Sequence, residues 1–251
     1  MATNSSIALI TGGTSGIGRE VANKLAQLGI HVLVVGRNAE RGEKTVAEIR
    51  AAGGKSDSIS SDLRDASSAR EVARRAVALG NGRVDILINN AGVFPFGPTH
   101  ETTEEVFDSV YSLNVKVPYF LVAELAPLMA KRGKGAIVNV STMVADYGAA
   151  GMGLYGSSKA AINLLTKAWA AEYGPSGVRV NAVSPGPTRT EGTDAMGRAS
   201  SNWPPKRQRA VLLQRTRSLR PLSSWRRIVP VSFMAQSSLS MEGALPFEAW
   251  P

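Results

Sequence analysis

The stretch Ile7-Ala8-Leu9-Ile10-Thr11-Gly12-Gly13-Thr14-Ser15-Gly16-Ile17-Gly18-Arg19-Glu20 decides the fold. Its apolar run, Ile7 to Ile10, predicts a buried strand. Gly12, Gly16 and Gly18 follow at once. A helical pattern then puts Ile17, Val21, Leu25 and Leu28 on one face, and Gly29 stops it. Glycines let a backbone approach a pyrophosphate closely, and the free N–H groups of a helix start point at its negative charge. A glycine-rich turn also marks ordinary loops. Flanked by a strand and a helix, it reads as a phosphate cradle.

Downstream, the pattern repeats. His31-Val32-Leu33-Val34-Val35-Gly36 predicts a second buried strand, followed by Arg37-Asn38 and a charged helix from about Ala39 to Arg50 that ends at Gly53-Gly54. A short strand near Ser58-Ile59-Ser60 leads to Asp62-Leu63 and a helix from Ser67 to Leu79. Val84 to Ile88 reads as a strand ending in the turn Asn89-Asn90-Ala91-Gly92. Helices are expected over Thr103–Asn114 and Pro118–Lys131, a strand over Gly135–Val140, a helix over Leu154–Tyr173 and a strand over Val178–Val183. Strands alternating with helices of this length imply an α/β domain with a doubly wound, mainly parallel sheet covered on both faces. Ligands of such sheets sit at the carboxyl ends of the strands, so the turns named above are where chemistry is expected.

Composition narrows the class. The 251 residues suffice for one large α/β domain, and the absence of cysteine excludes disulfides and thiolate metal sites. That absence agrees with a reducing cytosol, so the expected location is cytoplasmic. Met1 to Ser6 lacks the basic and apolar regions of a signal peptide, and no uninterrupted apolar run approaches membrane-spanning length. His31 and His100 stand alone, without the carboxylate cluster a metal needs, so no metal site is expected. The net charge of +9 is uneven: residues 198–251 hold nine Lys and Arg against two acidic residues, which leaves twenty basic and eighteen acidic residues for 1–197.

Tyr155 and Lys159 are four residues apart and share one helix face. An ammonium near a phenol favours phenolate, and a phenol so tuned exchanges a proton with an alcohol or carbonyl oxygen near neutral pH. The pair alone favours a plainer reading, a packing Tyr beside a surface Lys. Ser141-Thr142 end a strand and aim a hydroxyl into the same crevice, and Asn114 ends a helix with an amide that can hold a water. Phe94, Phe96 and Met152 fit either an apolar substrate pocket or lid packing, and Met143 and Trp169 read as packing.

Together these motifs make the sequence resemble the short-chain dehydrogenase/reductase family in its single-domain form. The matches are Thr11-Gly12…Gly16-Ile17-Gly18, Asp62-Leu63, Asn89-Asn90-Ala91-Gly92, Asn114, Tyr155…Lys159, and Pro185-Gly186 followed by Thr188 and Thr190, in family order over residues 7 to about 195. The resemblance implies that Tyr155 is the general acid/base, that Lys159 binds the nicotinamide ribose and lowers the Tyr pKa, and that Asn114 helps hold a proton-relay water. The family's catalytic Ser stands thirteen residues before the Tyr; here that position is Thr142, with Ser141 one place earlier as the alternative. For the cofactor it implies a site formed by Gly12, Thr14, Ser15, Gly16, Ile17, Gly18, Arg37, Asp62, Leu63, Asn89, Ala91, Gly92, Tyr155, Lys159, Pro185, Gly186, Thr188 and Thr190, with Asp62 at the adenine and Asn89 and Gly92 lining the groove. It also implies a homotetramer or dimer.

Charge decides between cofactors. An acidic residue ending the second strand would bind a ribose 2′-OH and repel a 2′-phosphate. Gly36-Arg37-Asn38 stands there, and a guanidinium fork after a neutral residue favours NADP, with NAD as the alternative.

From about Arg198 the pattern collapses. Residues 198–251 contain three of the four Trp and six of the thirteen Pro, and the family's closing helix, strand and Asp-Gly-Gly are missing as written. Arg interleaved with Trp suits nucleic acid or an acidic membrane. The genetic code offers another reading. Moved back by one base, the codon of Ala235 and that of Glu242 must each encode Gly, and that of Met241 allows Asp. The hidden string can read Phe-Leu-Ala-Ser-Asp and then His-Gly-Ala-Ile-Leu-x-Val-Asp-Gly-Gly, which resembles the family's C-terminus. The expected organisation is therefore a catalytic domain over 1–197 and an atypical basic tail over 198–251, best read as out of frame. The expected function is hydride transfer between NADP(H) and a ketone or secondary alcohol as small-molecule substrate. The alternative of another class is a dinucleotide sensor whose tail binds nucleic acid.

Overall fold

The computed structural model describes residues 5–186, 188, 190 and 191. The tail over 198–251, its out-of-frame reading and the boundary at 197 lie outside the described residues.

Six parallel strands form one sheet: β1 (Ile7–Thr11), β2 (His31–Gly36), β3 (Ser56–Ser60), β4 (Ile86–Asn89), β5 (Gly135–Val140) and β6 (Val178–Val183), in the order β3-β2-β1-β4-β5-β6. The chain starts at the centre, winds outward to β3, then returns to β4 and winds the other way. The reversal between β1 and β4 opens a crevice at the strands' carboxyl ends. The helices are α1 (Gly16–Gln27), α2 (Ala39–Ala51), α3 (Ala66–Leu79), α4 (Glu104–Tyr111), α5 (Val117–Lys131) and α6 (Gly153–Tyr173). Alternate residues of each strand feed opposite cores. Ala8, Ile10, Val32 and Val34 pack with Val21, Leu25 and Ile49 of α1 and α2. Ile7, Leu9, Leu33 and Leu87 pack with Val72 of α3, Leu121 and Leu125 of α5 and Trp169 of α6. Both faces of the parallel sheet are thus covered, as its near-continuous apolar strands require.

Two expectations change. Leu28 was expected on the buried face of α1, but it follows the helix's last residue and is 57% exposed; Val21, Ala22, Leu25 and Ala26 make the buried stripe. The two helices expected over 103–131 are joined without a loop, through a π-helical turn at Ser112–Lys116. Pro118 explains the irregularity: it has no N–H to donate to the Asn114 carbonyl four residues back. The joined run, Glu104–Lys131, is long and apolar enough to cross a membrane by length and composition, but 44% of its most apolar window is buried against the sheet and its neighbours.

Candidate active site

The glycine turn between β1 and α1 is held from below by the turn after β4. Thr11 Oγ1 accepts hydrogen bonds from Asn90 N and Ala91 N, both at 3.0 Å. Asn90 Nδ2 donates to Thr11 O at 3.0 Å and to Gly12 O at 3.1 Å. The packing leaves no room for side chains at two positions. Gly12 has φ +64°, and a Cβ there would lie 2.9 Å from Asn90 Nδ2. A Cβ on Gly18 would overlap the Gly12 carbonyl oxygen, because the helix starts directly against the turn. Asn90 was not among the expected site residues, yet it welds the two turns together.

Ser15 precedes α1 in an extended conformation and makes no side-chain cap. In contrast, α2, α3 and α4 are capped by Asn38, Asp65 and Thr103. The start of α1 therefore offers its N–H groups toward the crevice. Thr14 packs against the end of β2, where a Cβ on Gly36 would lie 2.6 Å from its methyl carbon. Arg37 follows, exposed. Ile17 is half-buried, and Pro185, Gly186, Thr188 and Thr190 follow β6. Thr188 donates to Gly186 O, and Thr190 Cβ sits 3.2 Å from where a Cβ on Gly16 would stand.

Among the expected groove residues, Leu63 and Asn89 have their side chains engaged in the interior. The Asp62 side chain is 57% exposed just past β3, whereas Leu63 is buried in the core, so only its backbone can face a ligand. Asn89 is buried and donates through Nδ2 to Asn139 Oδ1 at 2.8 Å; Asn139 in turn donates to Thr166 on α6 at 2.8 Å. Its side chain ties β4 to β5 and the helix beyond, rather than lining the groove.

On the other side of the crevice the chemistry-bearing side chains converge. The Asn114 amide clamps Val93 by accepting from its N–H at 2.9 Å and donating to its carbonyl at 2.8 Å. Its second amide hydrogen goes to Ser158 Oγ at 3.0 Å, and Ser158 donates to the Tyr155 carbonyl at 2.7 Å. Both amide hydrogens are consumed, and Pro118 leaves the Asn114 carbonyl without an α-helical partner. Ser158, fully buried, is a positioning residue that motif spacing did not single out. A Cβ on Gly92 would lie 3.1 Å from Asn114 Oδ1 and 3.4 Å from Lys159 Nζ, so Gly92, Asn114 and Lys159 meet at one point.

Thr142 and Ser141 are now distinguished. Thr142 is the hydroxyl that bears on the Tyr155 phenol, holding its pKa down in part. Ser141 Oγ instead points to the Lys159 carbonyl, at 3.5 Å. Burial pushes the Tyr155 phenol above its ordinary value, and Thr142 opposes that shift in part. The Lys159 ammonium is itself buried, donates to Val140 O at 2.8 Å and is pushed down to about 8 by desolvation. Beside them the Phe94 ring meets the Tyr155 ring edge-on, with centroids 6.1 Å apart. Phe96, 64% exposed, covers Gly151, and Gly97 N donates to Gly151 O at 2.9 Å, which ties the loops on either side of Tyr155 together.

A glycine turn too tight for side chains and a helix start that Ser15 does not cap lie at one side of the crevice, and the half-buried Tyr155 with the buried Lys159 and Thr142 at the other. This arrangement fits a dinucleotide whose reactive ring lies near Tyr155. The family model for short chain dehydrogenases matches residues 6–200. The chain belongs to the short-chain dehydrogenase/reductase family. An uncharacterised oxidoreductase of Thermotoga maritima is 41% identical over 196 residues, which are 78% of this chain and 77% of the relative. A cyclopentanol dehydrogenase of Comamonas is 36% identical over 183 residues, 73% of each chain. A short-chain dehydrogenase from Sphingobium yanoikuyae, solved with NADPH, superposes with a TM-score of 0.74 at 33% identity, covering 79% of this chain and 77% of that one. This short-chain dehydrogenase is an NAD(P)-dependent oxidoreductase of alcohols and ketones. Among the described residues no group of three or more His, Asp or Glu could hold a metal ion, and His31 bonds Asp57 instead, at 2.6 Å.

Proposed function

We propose that the protein transfers hydride between NADP(H) and a ketone or secondary alcohol, with Tyr155 as the proton carrier. The observation that carries this reading is the partly buried phenol of Tyr155 beside the buried Thr142, on the same helix as the buried Lys159 and across the crevice from the glycine cradle. The bound nicotinamide supplies or accepts the hydride. In the reducing direction the phenol O–H bond breaks and its proton goes to the carbonyl oxygen as the carbon gains hydride. Burial keeps the phenol protonated at neutral pH, so it holds the proton that is transferred. Thr142 holds the substrate oxygen beside Tyr155, Lys159 meets the ribose hydroxyls and returns charge balance, and the Asn114 carbonyl holds the water that re-protonates the site. Phe94 and Phe96 form an apolar wall for one substituent of the substrate.

NADP is favoured by the end of β2. Gly36 leaves that position neutral, Thr14 fills the space a larger side chain would need, and Arg37 stands exposed one residue on, where a 2′-phosphate would lie. Bound NADPH in the Sphingobium relative agrees with this. A cytoplasmic homodimer or tetramer completes the reading: Phe107, Tyr119 and Leu164, on α4, α5 and α6, are 45%, 47% and 68% exposed, and size-exclusion chromatography tests it.

The test follows NADPH and NADH absorbance against a panel of ketones for the native protein and Tyr155→Phe. Turnover of the native enzyme that falls roughly 10²- to 10⁴-fold in the variant, with NADPH preferred, is expected. Unchanged turnover would overturn the mechanism, and equal use of NADH would overturn the NADP assignment. Salt-sensitive binding of DNA without turnover would favour the sensor.

A further inference from the structure

One carboxylate sits in the mouth of the cradle. Glu191 Oε2 accepts a hydrogen bond from Gly16 N, the first N–H of α1, at 3.0 Å, and Glu191 Oε1 pairs with Arg19 Nη2 at 2.6 Å. The contact spans 175 residues of sequence, so it folds the segment after β6 back over the glycine turn. Adjacent Thr190 lies against Gly16. Donors at a helix N-terminus and a guanidinium converge on one anionic group, and that is also what a pyrophosphate requires. Ser15 supplies no competing cap and the first turn of α1 holds no acidic residue, so Glu191 is the anion that satisfies this helix start. The pair is half exposed, 38% for Arg19 and 53% for Glu191, so it can open without disturbing the core.

We propose that Glu191 sets the affinity of the cradle for the dinucleotide. Its carboxylate competes with the pyrophosphate for Gly16 N and for Arg19, and once displaced it releases Arg19 as an additional ligand of the pyrophosphate. The proposal rests on the cofactor cradle and is independent of the choice between NADP and NAD and of the substrate. Surface ion pairs and charges at helix ends are each small contributions, which makes the latch weak enough to yield to ligand.

The experiment titrates NADP⁺, NAD⁺ and ADP-ribose calorimetrically into the full-length native protein, Glu191→Gln, Arg19→Met and the double variant, and records melting temperatures without added ligand. Glu191→Gln should bind each pyrophosphate-bearing ligand roughly threefold to tenfold more tightly while melting slightly lower on its own. Adding Arg19→Met to Glu191→Gln should remove that gain and more. Affinity that is unchanged or weaker in Glu191→Gln overturns the latch, and so does a gain confined to the dinucleotides and absent for ADP-ribose. Equal binding by Glu191→Gln and the double variant overturns the role of Arg19. If no ligand binds any of the four proteins while each melts cooperatively, the cradle assignment itself fails, an outcome distinct from failure of the latch alone.

Discussion

On the β1 side of the crevice the working surface is backbone; on the β5 side it is side chain. The cradle is shaped by residues that have no side chain, Gly12 and Gly18, and by the N–H groups of a helix start that its own N-cap residue, Ser15, leaves uncapped. Across from it, Asn114, Ser158, Tyr155, Thr142 and Lys159 are buried or half-buried polar groups; hydrogen bonds run from Asn114 through Ser158 to the Tyr155 backbone, and Lys159 is held by the Val140 carbonyl. A phosphate carries its charge at many oxygens and is matched by several weak donors, whereas proton transfer needs one group at one place. The two halves should therefore fail differently. Damage to the first should abolish binding and stability together. Damage to the second should spare dinucleotide binding and lower turnover.

The largest expected effect is at Gly18. In Gly18→Ala the added methyl overlaps the Gly12 carbonyl and crowds Asn90 Nδ2, both fixed by the turn after β4. Overpacking against backbone should cost about 3 kcal/mol or more and remove measurable dinucleotide binding. Denaturant unfolding and fluorescence titration check this, and a stable variant that still binds would break the contrast between the halves.

The next effect is a pH dependence peculiar to the catalytic half. The folded pKa of Lys159, about 8, lies below its ordinary 10.5. Between those values the unfolded chain binds more protons, so stability rises with pH through that window. Below about 8 the burial cost of the ammonium is present in full. The rise should be on the order of 1–3 kcal/mol and should vanish in Lys159→Met. Unfolding midpoints at pH 7.5 and pH 10 for both proteins test it, and a native protein with no rise would contradict the burial of a charged Lys159.

Ser158→Ala should come next in size. It leaves a buried amide hydrogen of Asn114 without a partner, at a cost of about 1–3 kcal/mol. It also loosens the link from Asn114 to the backbone of Tyr155. We expect a lower kcat with an unchanged dinucleotide affinity, read by steady-state kinetics and calorimetry. A loss of affinity instead would show that the two halves are not separable.

The backbone half was the more legible in the sequence. Glycines between an apolar run and a helical period are local signals, and the alternation of strands and helices pointed to the parallel sheet, while its strand order came only with the structure. The motif residues Tyr155 and Lys159 could be named from spacing, but their electrostatics could not. An i, i+4 spacing brings two side chains to one face without revealing that both are buried or that the ammonium turns to the Val140 carbonyl. The roles of Ser158 and Asn90 were not legible because the contacts that matter, to Asn114 and to Gly12, lie 44 and 78 residues away, and a hydrogen bond across such a distance has no periodic trace. Asn89 was misplaced for the same reason, its partner Asn139 standing on the next strand. Leu28 shows the opposite error: the helical period was extended one residue past the helix itself.

The smallest effect sharpens the comparison most, since it concerns a side chain in the backbone half. Asn38 caps α2 by accepting from Arg41 N at 2.8 Å, directly after Arg37. Asn38→Ala should lower stability by about 1 kcal/mol, the usual cost of a lost cap, and leave kcat at saturating cofactor unchanged. Because the cap fixes the direction in which the chain leaves Arg37, the variant also reports on the 2′-phosphate. If Arg37 holds that group, NADP⁺ affinity should fall while NAD⁺ affinity stays constant. If both stay constant, Arg37 is a solvated residue and the cradle is backbone throughout.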